Sequence, residues 1–369
     1  MQSESLVEQI RRKQYPGLGF GRVVQSLIAG EGDILAAGMY AREVFTKDLM
    51  VEASFGVAIR KGAVPAGTTA DVDFGAALVP AYTIASEFTE LMRPMTVLGR
   101  LAVRRVPFNT RFTRTTTGTS VGWLKEGAPS KVTRMDLLGL TLTPFKLTGI
   151  SVITTELARN AQPSASATIA ADLAAAAATF SDTSFLDPDR AAVANESPAS
   201  VTHGAQQFTS SGNSFGNVVA DLKAMMGYMV SNGIRLSECV FIMGEEVALA
   251  WAMLTNTNSD FAFEDLGPAG GTLFGLPVIT SGALPLSNSP SESFVTLLHA
   301  PSIAVAEDPQ VGISISTNAS LQIDDAPATG AQAQTSLWEN NLAGIRVLRF
   351  ASWIRRRDKA VVVLRGINL

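Results

Sequence analysis

The chain has 369 residues, 46% of them hydrophobic and 17% charged, with 29 lysines and arginines against 33 acidic residues and a net charge of −4. That length accommodates two compact domains plus extensions, and the acidic excess excludes a protein whose main work is gripping nucleic acid, since neutralising phosphates needs a basic surplus. One cysteine and two histidines exclude a disulfide framework and a zinc-type ligand cluster, and so sparse a charged surface reads largely as interface.

Residues 1–78 read as an extension and arm rather than a domain. They run from a charged stretch, Glu8 to Lys13, through Gly17-Leu18-Gly19-Phe20-Gly21 to Lys61-Gly62-Ala63-Val64-Pro65-Ala66-Gly67, with no long periodic run between. Such a segment is expected to be ordered by its neighbours, with one helical stretch near 34–49. A short amphipathic helix is predicted over 84–92, where Ile84, Phe88 and Leu91 share a face and Pro94 ends it.

The period then changes. Val106, Phe108 and Phe112 alternate with polar residues into the Thr113–Ser120 run, and the alternation resumes at Leu138, Leu140 and Leu142. This predicts a long two-stranded ribbon with turn residues Gly118, Gly122, Gly127 and Pro129, unstable in water unless something covers it. Arg100, Arg104, Arg105, Arg111, Arg114, Lys125, Lys131 and Arg134 face a single carboxylate, Glu126. An acidic partner is implied, and another copy of this chain fits. The candidate intersubunit contacts are therefore Arg104, Arg105, Arg111, Phe112, Arg114, Trp123, Lys125, Glu126 and Lys131.

Beyond the ribbon, Pro163 and Ser164 open a helix whose stripe is Ile169, Leu173, Ala176, Ala177 and Phe180. No membrane span is expected, because the alanine-rich run from Ala165 to Phe180 is broken by Asp172 and the N-terminus lacks the apolar core of a signal peptide; the chain reads as soluble and cytoplasmic at synthesis. After an irregular stretch, Asn217 is read as the cap of a helix carrying Val218, Leu222, Met225, Met226 and Met229, ending at Asn232-Gly233. A buried strand, Cys239–Met243, makes its thiol an inert core group. A helix over 245–254, a tight turn across 270–278 and strands at Val311 to Ile315, Ile345 to Leu348 and Val361 to Leu364 complete the chain.

The ordered set of Trp123-Leu124-Lys125-Glu126-Gly127, Pro144-Phe145-Lys146-Leu147, Ile150-Ser151, Thr155-Glu156-Leu157, Val240-Phe241-Ile242-Met243, Gly271 to Val278 and Trp338-Glu339-Asn340-Asn341 resembles the major capsid proteins of tailed bacteriophages. The likeness covers about 79–369. It implies an α+β Hong Kong 97-like capsid fold: an N-terminal extension and arm (1–78), the start of a peripheral domain (79–101), an extended loop (102–143), a peripheral domain with a long spine helix (144–215), an axial α/β domain (216–306), peripheral return strands (307–358) and a final axial strand (359–369). It further implies hexamers and pentamers forming an icosahedral shell in the virion, assembled in the host bacterial cytoplasm. A portal, a scaffold or protease and a decoration protein are implied partners, with weak non-specific contact to packaged double-stranded DNA and none to membrane. Residues 1–78 lack the strongly helical scaffolding segment of some members, so retention of this extension and a separately encoded scaffold are expected. Lys125, Lys131 and Asn340 sit roughly where some members crosslink, although no local sequence requires it. An encapsulin-like nanocompartment is the alternative shell.

The remaining motifs have local readings, and neither enzyme chemistry nor a cofactor or metal is expected. Gly212-Asn213-Ser214-Phe215-Gly216, with Asp260 and His299 downstream, matches a hydrolase nucleophile elbow in spacing. The residues before Ser214 are polar loop where an elbow needs a buried strand, so a serine hydrolase is the remote alternative. Glu245-Glu246 suits a helix start, Asp324-Asp325 a turn, and Arg355-Arg356-Arg357 a salt-bridged rim or intersubunit contact rather than a nucleic-acid site.

Overall fold

The computed structural model describes residues 15–31, 33–45, 48, 51, 54–55, 89–117, 123, 136–156, 163–256, 260–284, 292–308, 312–322 and 334–368. In chain order these carry helices α1 (Leu18–Ala29), α2 (Ile34–Val44) and the single turn α3 (Val97–Arg100), then strands β1 (Arg104–Arg105), β2 (Arg111–Thr117), β3 (Asp136–Thr141) and β4 (Phe145–Thr154). Helix α4 (Pro163–Leu186) follows, with β5 (Gln206–Thr209), α5 (Phe215–Ser231), β6 (Cys239–Gly244) and α6 (Glu245–Ala252). The rest is strand: β7 (Leu266–Gly267), β8 (Gly270–Leu273), β9 (Leu276–Ser281), β10 (Glu292–His299), β11 (Ile303–Glu307), β12 (Gly312–Ser316), β13 (Ser320–Gln322), β14 (Gln334–Ser336), β15 (Leu342–Arg355) and β16 (Val361–Asn368).

Packing divides the chain into two compact units, Met1–Met95 with Leu147–Ala178 and Asp308–Arg349, and Thr96–Lys146 with Thr179–Glu307 and Phe350–Leu369. In the first unit, β12 pairs antiparallel with β15, Gly312 opposite Leu348 and Ser316 opposite Gly344. Its core joins Phe20, Val24 and Ile28 of α1, Ala37 and Ala41 of α2, Ile169, Leu173 and Ala174 of α4, and Ile345 and Val347 of β15. The glycine-rich run read as irregular extension is thus in part a helix packed on the chain's own elements. Gly17 explains the difference: it takes a left-handed φ of 76°, and a Cβ there would meet Leu91 at 2.8 Å, so the glycine starts the helix rather than loosening the chain. At the other end a Cβ on Gly30 would lie 2.5 Å from the Ala37 backbone nitrogen, which lets α1 and α2 turn closely on each other.

Arg22 of α1 is buried. Its Nη1 donates to Asp48 Oδ2 at 2.7 Å, and its guanidinium lies 5.2 Å from the centroid of the Phe45 ring. Two opposite charges removed from water gain little net stability as a pair, but removing one strands the other in a low-dielectric site.

In the second unit a seven-stranded sheet runs β5-β16-β10-β6-β9-β8-β7. Its middle strands are apolar on both faces, which is why they read as continuous hydrophobic runs. Phe241, Met243, Val295, Leu297, Val362 and Leu364 meet Val218, Leu222, Met225 and Met229 of α5 together with Val247 and Trp251 of α6. Ile242, Phe294, Leu298, Val361 and Val363 face the opposite way, onto Val97, Leu98, Phe185, Leu186 and Trp353. Cys239 is buried in this core, and burial, reinforced by Glu238, pushes its thiol up to about 11, as expected of an inert group.

The α4 helix matches the predicted span, but its buried stripe differs from the prediction. Ile169, Ala170, Leu173, Ala174, Ala178, Asp182 and Phe185 are buried, whereas Ala176 and Phe180 are exposed, and Arg190 lies over the Phe180 ring at 5.5 Å. In an alanine-rich helix the apolar residues mark no unique face, so packing chose it. The tight turn predicted over 270–278 is the β8–β9 hairpin, with Leu273 opposite Leu276.

Asp182 is the polar exception on the buried face. Its Oδ1 accepts from the Val97 backbone N–H at 2.8 Å and its Oδ2 from the Ser281 hydroxyl at 3.0 Å. Burial pushes the carboxyl up from 3.8 to about 6, against the Val97 and Ser281 hydrogen bonds and the nearby Arg100, which favour the anion. The folded chain therefore keeps this proton where the unfolded chain loses it. That contribution to stability is complete below about pH 4 and is lost as the pH rises to about 6.

Two outcomes follow. Asp182→Asn, which keeps an acceptor for Val97, flattens the fall in urea midpoint between about pH 4 and 6 that the parent shows. Arg22→Met lowers unfolding free energy by about 3 kcal/mol, and adding Asp48→Leu restores most of it, measured by denaturant titration.

Candidate functional site

The ribbon carries most of the candidate contact residues. Strands β2 and β3 pair antiparallel, Arg111 opposite Thr141 and Phe112 opposite Leu140. Its predicted turn glycines and Pro129, together with Lys125, Glu126 and Lys131, lie outside the described residues. The base is covered by the chain itself: buried Leu142, Ala304 and Ala306 gather Val106, Phe108, Phe112 and Ile354 around them. Phe112 therefore has an intrachain home in the single subunit. Trp123 is exposed instead, with a relative exposure of 105%.

The arginines of this region divide by role. Arg100 turns inward and donates to the Thr280 carbonyl, while Arg105 pairs with Glu307 at 2.7 Å. Arg104 and Arg111 are exposed, and Arg114 lies in β2. The later triplet divides too. Arg355 donates to the carbonyls of Val201 at 3.0 Å and Gly204 at 3.3 Å and has Asp358 at 3.8 Å, so it is a structural clasp. Arg356 lies instead over the Phe112 ring, 5.2 Å from its centroid, and Arg357 is exposed. Sequence spacing does not tell these three apart.

The hydrolase reading is met by a different arrangement. The Ser214 hydroxyl accepts from the Asn217 N–H at 3.4 Å, so Ser214, rather than Asn217 as predicted, caps α5. His299 is engaged elsewhere, Nδ1 with the Ser302 hydroxyl at 2.8 Å and Nε2 with Glu238 Oε2 at 3.1 Å. That serine, histidine and carboxylate string has the right residue types, but Ser302 is buried and follows in the same tight turn, so no substrate reaches its hydroxyl. Among the described residues no group of three histidine, cysteine or carboxylate side chains is placed to hold a metal, and no helix is long and apolar enough to cross a membrane.

With this geometry in view, comparison with known proteins is decisive. A family model described as the phage capsid family matches residues 75–337. The chain belongs to the phage capsid family. It is also 36% identical over 367 residues to a capsid polyprotein of Pseudomonas phage PAJU2, an alignment covering 97% of this chain and 55% of that protein. The chain thus spans about half the length of that relative. Two solved structures share the fold at low identity. One, from Mycobacterium phage Adephagia, is 14% identical with a TM-score of 0.53, covering 73% of this chain and 88% of its own. The other, from the capsid of a native GTA particle, is 13% identical with a TM-score of 0.50, covering 76% and 90%.

The capsid-family match takes in the ribbon, α4 and the sheet as far as β11 and β14, and leaves α1, α2, β15 and β16 outside it. The fold also presents an apolar group that sequence reading missed. Leu249 and Met253 are exposed at the end of α6, and the Ala262 N–H bonds Leu254 O at 2.8 Å, bringing exposed Phe261 alongside. At the β8–β9 tip Phe274 is half in solvent with φ 53°, edge-on to Phe263 at 5.9 Å. A bulky residue in the left-handed region costs about 1–2 kcal/mol, so this ring is held outward against a local preference. The signal available in the sequence was Phe274-Gly275, a two-residue hairpin turn with phenylalanine where asparagine is favoured.

A capping role for Ser214 makes a definite prediction. Ser214→Ala lowers stability by about 1 kcal/mol while Ser214→Asp retains it, and fluorophosphonate probes leave the wild-type chain unlabelled by mass spectrometry.

Proposed function

We propose that the chain is the repeating shell subunit of a tailed bacteriophage, assembling through copies of itself as hexamers and pentamers into the icosahedral capsid of the virion. The observation that carries the reading is membership of the phage capsid family over most of the chain. The ribbon supports it: a two-stranded element whose base is covered by the chain itself, with Trp123 in solvent, makes physical sense when a neighbour packs on it. On this reading residues 102–143 are the extended loop, α4 the spine helix, and 216–306 with 359–369 the axial domain. The chemistry is geometric and non-enzymatic. Many contacts of modest energy per subunit add through closed symmetry, so repetition supplies the stability that single exposed pairs, at about 0–1 kcal/mol, do not.

Portal, scaffold or protease, decoration protein and packaged double-stranded DNA are the other partners of this role, the last through weak contacts given the net charge of −4. Assembly in the host cytoplasm belongs to the same proposal.

Expression of the chain followed by negative-stain microscopy yields shells or ring-shaped capsomers; a uniform monomer at all concentrations overturns the proposal. Trp123→Ser leaves far-ultraviolet circular dichroism and the melting midpoint unchanged and reduces the assembled fraction in sedimentation velocity.

A further inference from the structure

The basic residues of the ribbon base and of the segment after β15 are far apart in sequence and meet in the fold. Strand β1 pairs parallel with β11, Arg104 beside Ala304, and β11 pairs antiparallel with β15, Ala304 beside Ile354 and Ile303 beside Arg355. The Arg356 backbone N–H then donates to Ser302 O at 2.9 Å, which keeps the chain on this edge past the end of the strand. Arg104, Arg356 and Arg357 so form one cationic group. Their proximity is felt in the proton affinity of Arg356, whose pKa is lowered by burial first and then by Arg104 and Arg357.

Two neighbouring cations of this region, Arg105 and Arg355, are paired with carboxylates of the chain. Arg105 has Glu307 at 2.7 Å and Arg355 has Asp358 at 3.8 Å. Among the described residues no carboxylate lies in ion-pair range of Arg104, Arg356 or Arg357. The isolated chain thus holds like charges together at a cost, and Phe112 under the Arg356 guanidinium orients the planar fork, whose edge meets no carboxylate among the described residues. A preorganised guanidinium edge suits a carboxylate taken two oxygens at a time.

We infer that Arg104, Arg356 and Arg357 form a receptor for a carboxylate-bearing surface on a second copy of this chain. The inference rests on the shell-subunit reading and names one of its contacts. One observation favours protein carboxylates over a nucleic-acid backbone: the chain itself, with 33 acidic residues against 29 basic, supplies a surplus of carboxylates in every copy and a net charge opposed to a polyanion. The group also completes what the ribbon alone lacks, because Arg100 and Arg105 are spent inside the subunit.

The test uses the full chain with Arg104→Gln, Arg356→Gln and Arg357→Gln combined, beside the single Arg357→Gln, whose exposed side chain makes misfolding a remote concern. The triple variant is expected to melt at the same temperature as wild type or higher, since repulsion is relieved, while the concentration needed for assembly rises about tenfold or more. Arg357→Gln gives a smaller rise, and wild-type assembly weakens with added sodium chloride more steeply than that of the triple variant. Assembly of the triple and single variants at the wild-type concentration overturns the inference and leaves the shell reading intact. A lower melting temperature with unchanged assembly makes the arginines internal supports and overturns it too. Normal shells that retain less double-stranded DNA assign the cluster to nucleic acid and overturn it. Failure of the wild-type chain to assemble at any concentration removes the shell reading and this inference together.

Discussion

The carboxylate of Asp182 is the constraint on which the base of the ribbon depends. From the buried face of α4 it holds the first N–H of α3 and the Ser281 hydroxyl at the end of β9. Arg100, at the end of α3, then donates to the Thr280 carbonyl one residue before. The path from α4 to the sheet and on through Leu101 into β1 is therefore set by hydrogen bonds rather than by apolar packing alone. A carboxylate removed from water is expensive, and it is retained here because its two oxygens specify the position of two separate elements.

The same logic distributes the arginines. Among the described residues, several guanidiniums are satisfied within the chain. Arg22 is paired with Asp48 in the first unit, Arg105 with Glu307 and Arg365 with Asp189 at 2.6 Å in the second. Such internal pairs hold tertiary geometry and have little to offer a partner. Arg104, Arg356 and Arg357, with no ion pair among the described residues, gather where β1 and the end of β15 flank β11, beside the ribbon's base and with Arg356 over Phe112. Hydrophobic cover and charge are thus organised together: the aromatic ring that roots the ribbon in its own subunit also aims a guanidinium away from it.

The exposed apolar residues fit the same scheme. The Phe274 tip, Met253 and Trp123 are costly in water, and Phe274 carries backbone strain as well. Exposed apolar groups of this kind fit the assembly proposed for a member of the phage capsid family.

The amino-acid sequence by itself determined the elements whose signal is local. The alternation around Phe112 and Leu140 determined a ribbon, the run from Cys239 to Met243 a buried strand, and Pro163-Ser164 the start of α4. Local patterns of hydrophobicity and turn residues suffice there, because neighbouring residues on one element carry the whole signal. Only the tertiary structure decided which face of α4 is buried, because a run of alanines has no preferred face until Leu173 and Asp182 find partners. It alone packed α1 into a core, since Gly17 reads as a loop until Leu91 closes over it. It alone sorted Arg355 from Arg356 and Arg357 and brought the latter two to Arg104, because the charge a guanidinium meets depends on strands paired across long stretches of chain, Arg104 with Ala304 and Ile303 with Arg355. Position in sequence sets what a residue is able to do, and the company it keeps in the fold sets which of those things it does.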